Sequence, residues 1–152
     1  MAYKRILVPV DGSPTSAAGL KAAIKMARES GAKLRLVHVV DEYAAFAGMD
    51  AGASIGPLID SLKAAGKRTL ERVGRGVAAK GMRAETCLVE NFGGRIADAI
   101  VKESKRWKAD VVVMGTHGRR GVKRVLLGSD ADLVVRYSPI PVLLIPAPGR
   151  GR

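Results

Sequence analysis

The chain has a single cysteine, Cys87, in 152 residues. An intramolecular disulfide is therefore impossible, which excludes a small fold stapled by cross-links. Cys87 sits in an alternating run and reads as a buried, inert thiol in a reducing compartment rather than a reactive one. Aromatic residues are also scarce, at 4%, and no basic segment interleaves them. The stacking surface that single-stranded nucleic acid needs is thus missing. No stretch approaches the roughly 18 uncharged apolar residues of a membrane span. The first apolar run stops at Asp11, too soon for the hydrophobic region of a secretory signal, so a cytoplasmic protein without membrane attachment is expected. The two histidines, His38 and His117, are joined by no carboxylate cluster, so no metal site is expected. A Walker lysine is lacking as well, because G-x-x-x-x-G-K-[ST] occurs nowhere.

What is abundant is positive charge and glycine. Lys and Arg number 26 against 14 Asp and Glu, a formal charge of +12, and there are 18 glycines. The charge favours anionic partners such as nucleotides, nucleic acid or acidic surfaces without choosing among them. The length suits one domain, residues 1–152, burying about 68–70% of the surface its unfolded form exposes.

Apolar runs and turn residues alternate along the chain. "RILVPV" (5–10) predicts a first strand ended by "DGSP", where Ser13 caps a helix over about 14–30 whose apolar positions include Leu20, Ala23, Ile24 and Ala27. "KLRLVHVV" (33–40) predicts a second strand. Residues 44–56 are small and glycine-rich and read as a mobile loop, with Asp41 and Glu42 before it in a solvated one. A long helix follows over about 57–80, weakened by Gly66, Gly74 and Gly76 at about 1 kcal/mol each relative to Ala. "RAETCLVE" (83–90) alternates as a strand, 93–107 repeats as a helix, and "ADVVVMGT" (109–116) is the most continuous apolar strand, which belongs in mid-sheet. A short helix over 129–138 with Ser129 as N-cap and an edge strand over 140–148, bracketed by Pro141 and Pro146, complete the pattern.

This alternation predicts an α/β fold: one doubly wound, mostly parallel five-stranded sheet with helices on both faces. Two strand orders are common, 2-1-3-4-5 and the nucleotide-binding 3-2-1-4-5, and ligands sit where the order reverses. In the second, Asp11 after strand one and Gly115 to Ser129 after strand four converge on one crevice.

The segment "MGTHGRRGVKRVLLGSDADL" (114–133) places Gly115, Gly118 and Gly128-Ser129 in a G-x2-G-x9-G-S spacing that starts at a strand end and finishes at a helix start. Glycines there let a backbone approach a ligand closely, and the helix start offers N–H groups and a positive dipole end to phosphate. This arrangement resembles the ATP-binding branch of the universal stress protein family. "ILVPVDGS" looks like the family's first strand and turn, "LVHVVDE" its second strand, and residues 109–146 its C-terminal third, so the likeness spans almost the whole chain.

The resemblance implies the 3-2-1-4-5 strand order of a Rossmann-like, adenine nucleotide alpha hydrolase-like fold, an ATP site with Mg2+ on the phosphates, and a role as nucleotide-dependent sensor or regulator in stress response, with at most slow hydrolysis. Asp11 would stand near ribose and adenine, Val10 and Val39 would meet the base through backbone groups, Met114 would line its pocket, and Pro9 belongs to the same nucleotide site. Gly115, His117, Gly118 and Arg119 would wrap ribose and phosphates, while Gly128, Ser129 and Asp130 hold the phosphate tail. A homodimer through pairing of the final strands, 141–146, is also implied. "NFGGRIADAI" departs from the family's G-x-P-A-x-x-I turn, which argues against a ligand role for that turn.

Plainer readings stand beside these. Asp11 fits a simple turn-former before a helix, and Arg119, Arg120, Lys123 and Arg124 fit solvated side chains as well as phosphate contacts. An adenine-nucleotide-dependent enzyme, either an ATPase or an adenylyl transferase, is the alternative function. Nucleic acid is a weaker one, because Lys21, Lys25, Arg28, Lys63, Lys67, Arg68, Arg72 and Lys105 are spread along the chain, a pattern that usually serves solubility.

Overall fold

The computed structural model of the chain describes residues 2–50, 52–116 and 127–148. Five strands, β1 (Arg5–Pro9), β2 (Lys33–Asp41), β3 (Ala84–Asn91), β4 (Val111–Gly115) and β5 (Val142–Ile145), alternate with five helices. These are α1 (Pro14–Ser30), α2 (Glu42–Ala47), α3 (Ile55–Ala79), α4 (Ile96–Arg106) and α5 (Ser129–Tyr137). Every strand pair is parallel, in the order β3-β2-β1-β4-β5. The order therefore reverses between β1 and β4.

Side chains alternate across each strand, so the sheet has two apolar faces. Ile6, Val8, Leu34 and Leu36 meet Ile24, Ala27, Leu70 and Val77 of α1 and α3. On the other face Leu7, Val37, Val112 and Met114 meet Ala97, Ile100 and Val134 of α4 and α5. Val111, Val112 and Val113 are at most 1% exposed, as a central strand covered on both faces requires. Among the described residues no helix is long and apolar enough to cross a membrane.

Several boundaries differ from the sequence reading for identifiable reasons. The first part of the expected 44–56 loop belongs to α2, a six-residue helix with no room for an apolar period. Its start is set by Asp41, whose Oδ1 accepts from the Ala44 N–H at 3.1 Å. Glu42 is not solvated: it is 2% exposed, and neither carboxylate oxygen meets a donor among the described residues. Helix α4 starts at Ile96, not 93, because Gly94 holds a left-handed turn (φ 89) and Asp98 accepts from the Arg95 N–H at 3.3 Å. Strand β5 is confined to Val142–Ile145 between its two prolines.

The amino end of the sheet is closed by a polar network. Arg35 of β2 pairs with Glu85 of β3 (2.6 Å) and Glu103 of α4 (2.7 Å), and Arg106 also binds Glu103 at 2.7 Å. The Arg35 guanidinium lies over the Trp107 ring, 5.0 Å from its centre. This network ties α4 to both strands at the end opposite the crevice.

Candidate functional site

The carboxyl ends of β1 and β4 frame the crevice. After Pro9, the Val10 N–H donates to the Val37 carbonyl at 2.8 Å, which holds the β1 exit against β2. The Val10 carbonyl lies 2.8 Å from His38 Nδ1. A carbonyl only accepts, so Nδ1 carries the proton. Val39, half-buried, continues β2 beside this exit, in register with Val89.

Asp11 opens a wired turn into α1. Its Oδ1 accepts from the Ser13 N–H at 2.8 Å, and its own N–H donates to Ser16 Oγ at 3.2 Å. Ser13 Oγ in turn accepts from the Ser16 N–H at 3.1 Å. The turn-forming role of Asp11 is thus built into the fold, and Gly12 supplies the left-handed residue (φ 82) that the reversal needs.

On the β4 side, Met114 is 7% exposed and packs into the core beneath α5. Gly115 presses against the first turn of α1: a Cβ there would stand 2.6 Å from the Thr15 carbonyl oxygen. Gly19 completes the crossing, since its own Cβ would come within 3.0 Å of the Gly115 nitrogen. Helix α1 and strand β4 therefore meet backbone to backbone at the mouth of the crevice. The spacing motif pointed to Gly115 but not to Gly19 or Thr15, whose partner lies about a hundred residues away in sequence.

Beyond β4, Thr116 donates from its N–H to the Ile145 carbonyl at 3.1 Å, and its carbonyl accepts from the Gly128 N–H at 2.7 Å. The two ends of the glycine-rich segment are thereby joined. His117, Gly118 and Arg119 lie outside the described residues, as do Arg120, Lys123 and Arg124.

Gly128, not Ser129, is the N-cap of α5. It has extended geometry (φ −60, ψ 151), and its carbonyl already accepts from the Asp132 N–H at 2.9 Å. Ser129 is the first helical residue, exposed, and Asp130 follows half-buried. A glycine cap brings no side-chain oxygen to the first-turn N–H groups. The helix start carries a positive dipole end, which suits an anion. Among the described residues no group of three His, Cys, Asp or Glu side chains is placed to hold a metal.

Comparisons with known proteins agree with this fold. The model of the universal stress protein family matches residues 2–146. A universal stress protein of Methanocaldococcus jannaschii is 36% identical over 96% of this chain and 84% of its own. Among solved structures, universal stress protein UspA from Lactobacillus plantarum superposes with a TM-score of 0.81 at 27% identity, covering 95% of this chain and 99% of that one. A universal stress protein in complex with cAMP superposes at 0.68 with 26% identity, over 97% and 100% of the two chains. One from Archaeoglobus fulgidus in complex with dAMP superposes at 0.66 with 25% identity, over 95% and 99%.

Proposed function

The chain belongs to the universal stress protein family, and from that premise we propose that it binds an adenine nucleotide, ATP with Mg2+, in the crevice between β1 and β4. It acts as a nucleotide-dependent sensor or regulator in stress response, with at most slow hydrolysis. The observation that carries this reading is the α5 start. A helix opened by a glycine cap without a side-chain hydrogen bond stands directly after β4, at the reversal of strand order. The complexes of similar proteins with cAMP and dAMP support an adenine base.

In this reading Pro9, Val10, Asp11 and Val39 surround base and ribose, with Met114 as floor. Gly115, His117, Gly118 and Arg119 follow ribose and phosphates, and Gly128, Ser129 and Asp130 receive the phosphate tail. Mg2+ would neutralise charge on the phosphates. The protein remains in the cytoplasm and works as a homodimer. β5 is an edge strand paired on one side with β4. Alternation leaves the N–H and C=O groups of Val142 and Leu144 on its open side, ready to pair with a second copy.

Calorimetric titration with MgATP tests the site. The wild type is expected to bind, and Gly128→Val and Gly118→Val to bind at least about tenfold more weakly, a loss of about 1.4 kcal/mol. The φ and ψ of Gly128 suit valine, so that variant should stay folded. No binding by the wild type at millimolar ATP, or equal binding by the variants, would overturn the reading.

A further inference from the structure

Basic residues that look scattered in sequence meet in space. Helices α1 and α3 cover the same sheet face, with Ile24 and Ala27 of one and Leu70 and Val77 of the other in one core. Arg28 donates to the Lys80 carbonyl at 2.9 Å, linking their carboxyl ends. Where the start of α1 faces the middle of α3 lies a cavity of about 230 Å³, lined by Val10, Ser13, Ser16, Leu20, Arg72 and Val73 among others. Arg72 also lines a wider depression with Arg68 and Arg75 on the outer side of α3, where Glu71 is the carboxylate present.

The cations form two rows. Lys21, Lys25 and Arg28 on α1 and Arg68, Arg72 and Arg75 on α3 are all exposed. Each trio repeats at i, i+4, i+7, so each row runs about 10.5 Å along its helix. Ion pairs among the described residues engage Arg35, Lys63, Arg95, Arg106 and Arg136, and none of these six. The rows are offset, since Leu20 stands by Arg72 and Arg28 by Lys80, and six exposed cations around the partly buried Leu20 and Val73 suit an anionic partner that also buries apolar surface.

We propose that the groove between α1 and α3 docks an acidic amphipathic helix of a partner protein. Packed helices lie about 8–10 Å apart, so the strip between them takes a ridge of helical width but keeps a nucleic-acid duplex off the floor. Neither α1 nor α3 contains an aromatic residue on which unpaired bases could stack. Carboxylates at i, i+4, i+7 on an incoming helix keep step with cation rows of the same period, while its apolar stripe covers Leu20 and Val73. The cavity ends at Val10, which the proposed nucleotide site shares, but the proposal rests on the cations and on Leu20 and Val73 and not on a bound nucleotide.

Fluorescence anisotropy tests it with a labelled helical peptide carrying glutamates at that period on both sides of a leucine stripe. A shuffled peptide of equal composition, a duplex DNA and a single-stranded RNA of similar length serve as competitors for the assignment. The helical peptide should bind, weaken as salt rises, and lose at least about tenfold in affinity with Arg68→Glu/Arg72→Glu. Lys102→Glu/Lys105→Glu on α4, across the sheet, should change it by less than about twofold. Thermal melting confirms that each variant is folded, and Arg68→Gln/Arg72→Gln replaces the reversal pair if it is not. Equal losses from both faces, equal binding of the shuffled peptide, or no binding would overturn the proposal. So would a nucleic acid that binds more tightly and is released by the groove variants.

Discussion

Gly115 and Gly128 belong to one spacing motif yet stand in different surroundings. At Gly115 a Cβ would stand 2.6 Å from the Thr15 carbonyl oxygen and 2.7 Å from its carbon. Backbone gives way less easily than a side chain, so Gly115→Ala is expected to cost about 1–3 kcal/mol in urea unfolding. Gly128 needs no special backbone conformation, and Gly128→Val should cost less than about 1 kcal/mol while weakening nucleotide binding. Unaltered stability of Gly115→Ala would contradict the α1–β4 contact. The motif was legible in sequence, but this difference was not, because it depends on Thr15 and Gly19 arriving from a distant helix. Gly66 is a similar case. Read as a weak point in α3, it is buried, and a Cβ there would lie 2.7 Å from His38 Cδ2. Glu42 was misread because a carboxylate between Asp41 and a small-residue stretch carries no local sign of burial.

Among the elements, α4 shows how charge fastens a helix to a sheet. Its Glu103 side chain is 5% exposed and bonds both Arg35 and Arg106. Burial pushes the Glu103 carboxyl up, but the hydrogen bonds from Arg106 and Arg35 outweigh it and hold the group below the ordinary carboxylate range. The folded value lies below the unfolded one, so this stabilisation is complete above the usual glutamate value of about 4.3 and is lost as pH falls through the folded value. Glu103→Gln should therefore lower stability by about 2 kcal/mol at neutral pH, and its melting temperature should fall less than that of the wild type on acidification from about pH 5 to about pH 3. Parallel acid profiles for the two proteins would refute the role. Long periodic elements such as α1 were read almost to the residue, because Ser13, Pro14 and Gly31 mark its ends locally. The α2 helix was missed because a six-residue helix held by an aspartate cap shows no period. The α5 cap was displaced by one residue because Gly128 and Ser129 are both plausible caps in sequence and only the Asp132-to-Gly128 bond distinguishes them.

For the molecule as a whole, strand order carries most of the meaning. Both candidate orders were open from the alternation of elements, since crossovers constrain handedness more than sequence along the sheet. The observed order sets the β1 exit at Asp11 beside the β4 exit at Gly115 and leaves β5 at an edge. Leu143 is 39% exposed on that edge, whereas Ile145 packs against the core. The proposed dimer is therefore best tested by Leu143→Lys alone, which should yield a folded monomer in light scattering after size exclusion. A wild-type monomer, or a variant that remains dimeric, would exclude this interface. The central claim, selective binding of an adenine nucleotide, meets its most direct test in equilibrium dialysis against an equimolar mixture of the four common ribonucleoside triphosphates with Mg2+. The nucleotide retained by the protein is released by denaturation and identified by mass spectrometry. The account predicts strong enrichment of ATP, and retention of no nucleotide, or of all four in equal amounts, would contradict it.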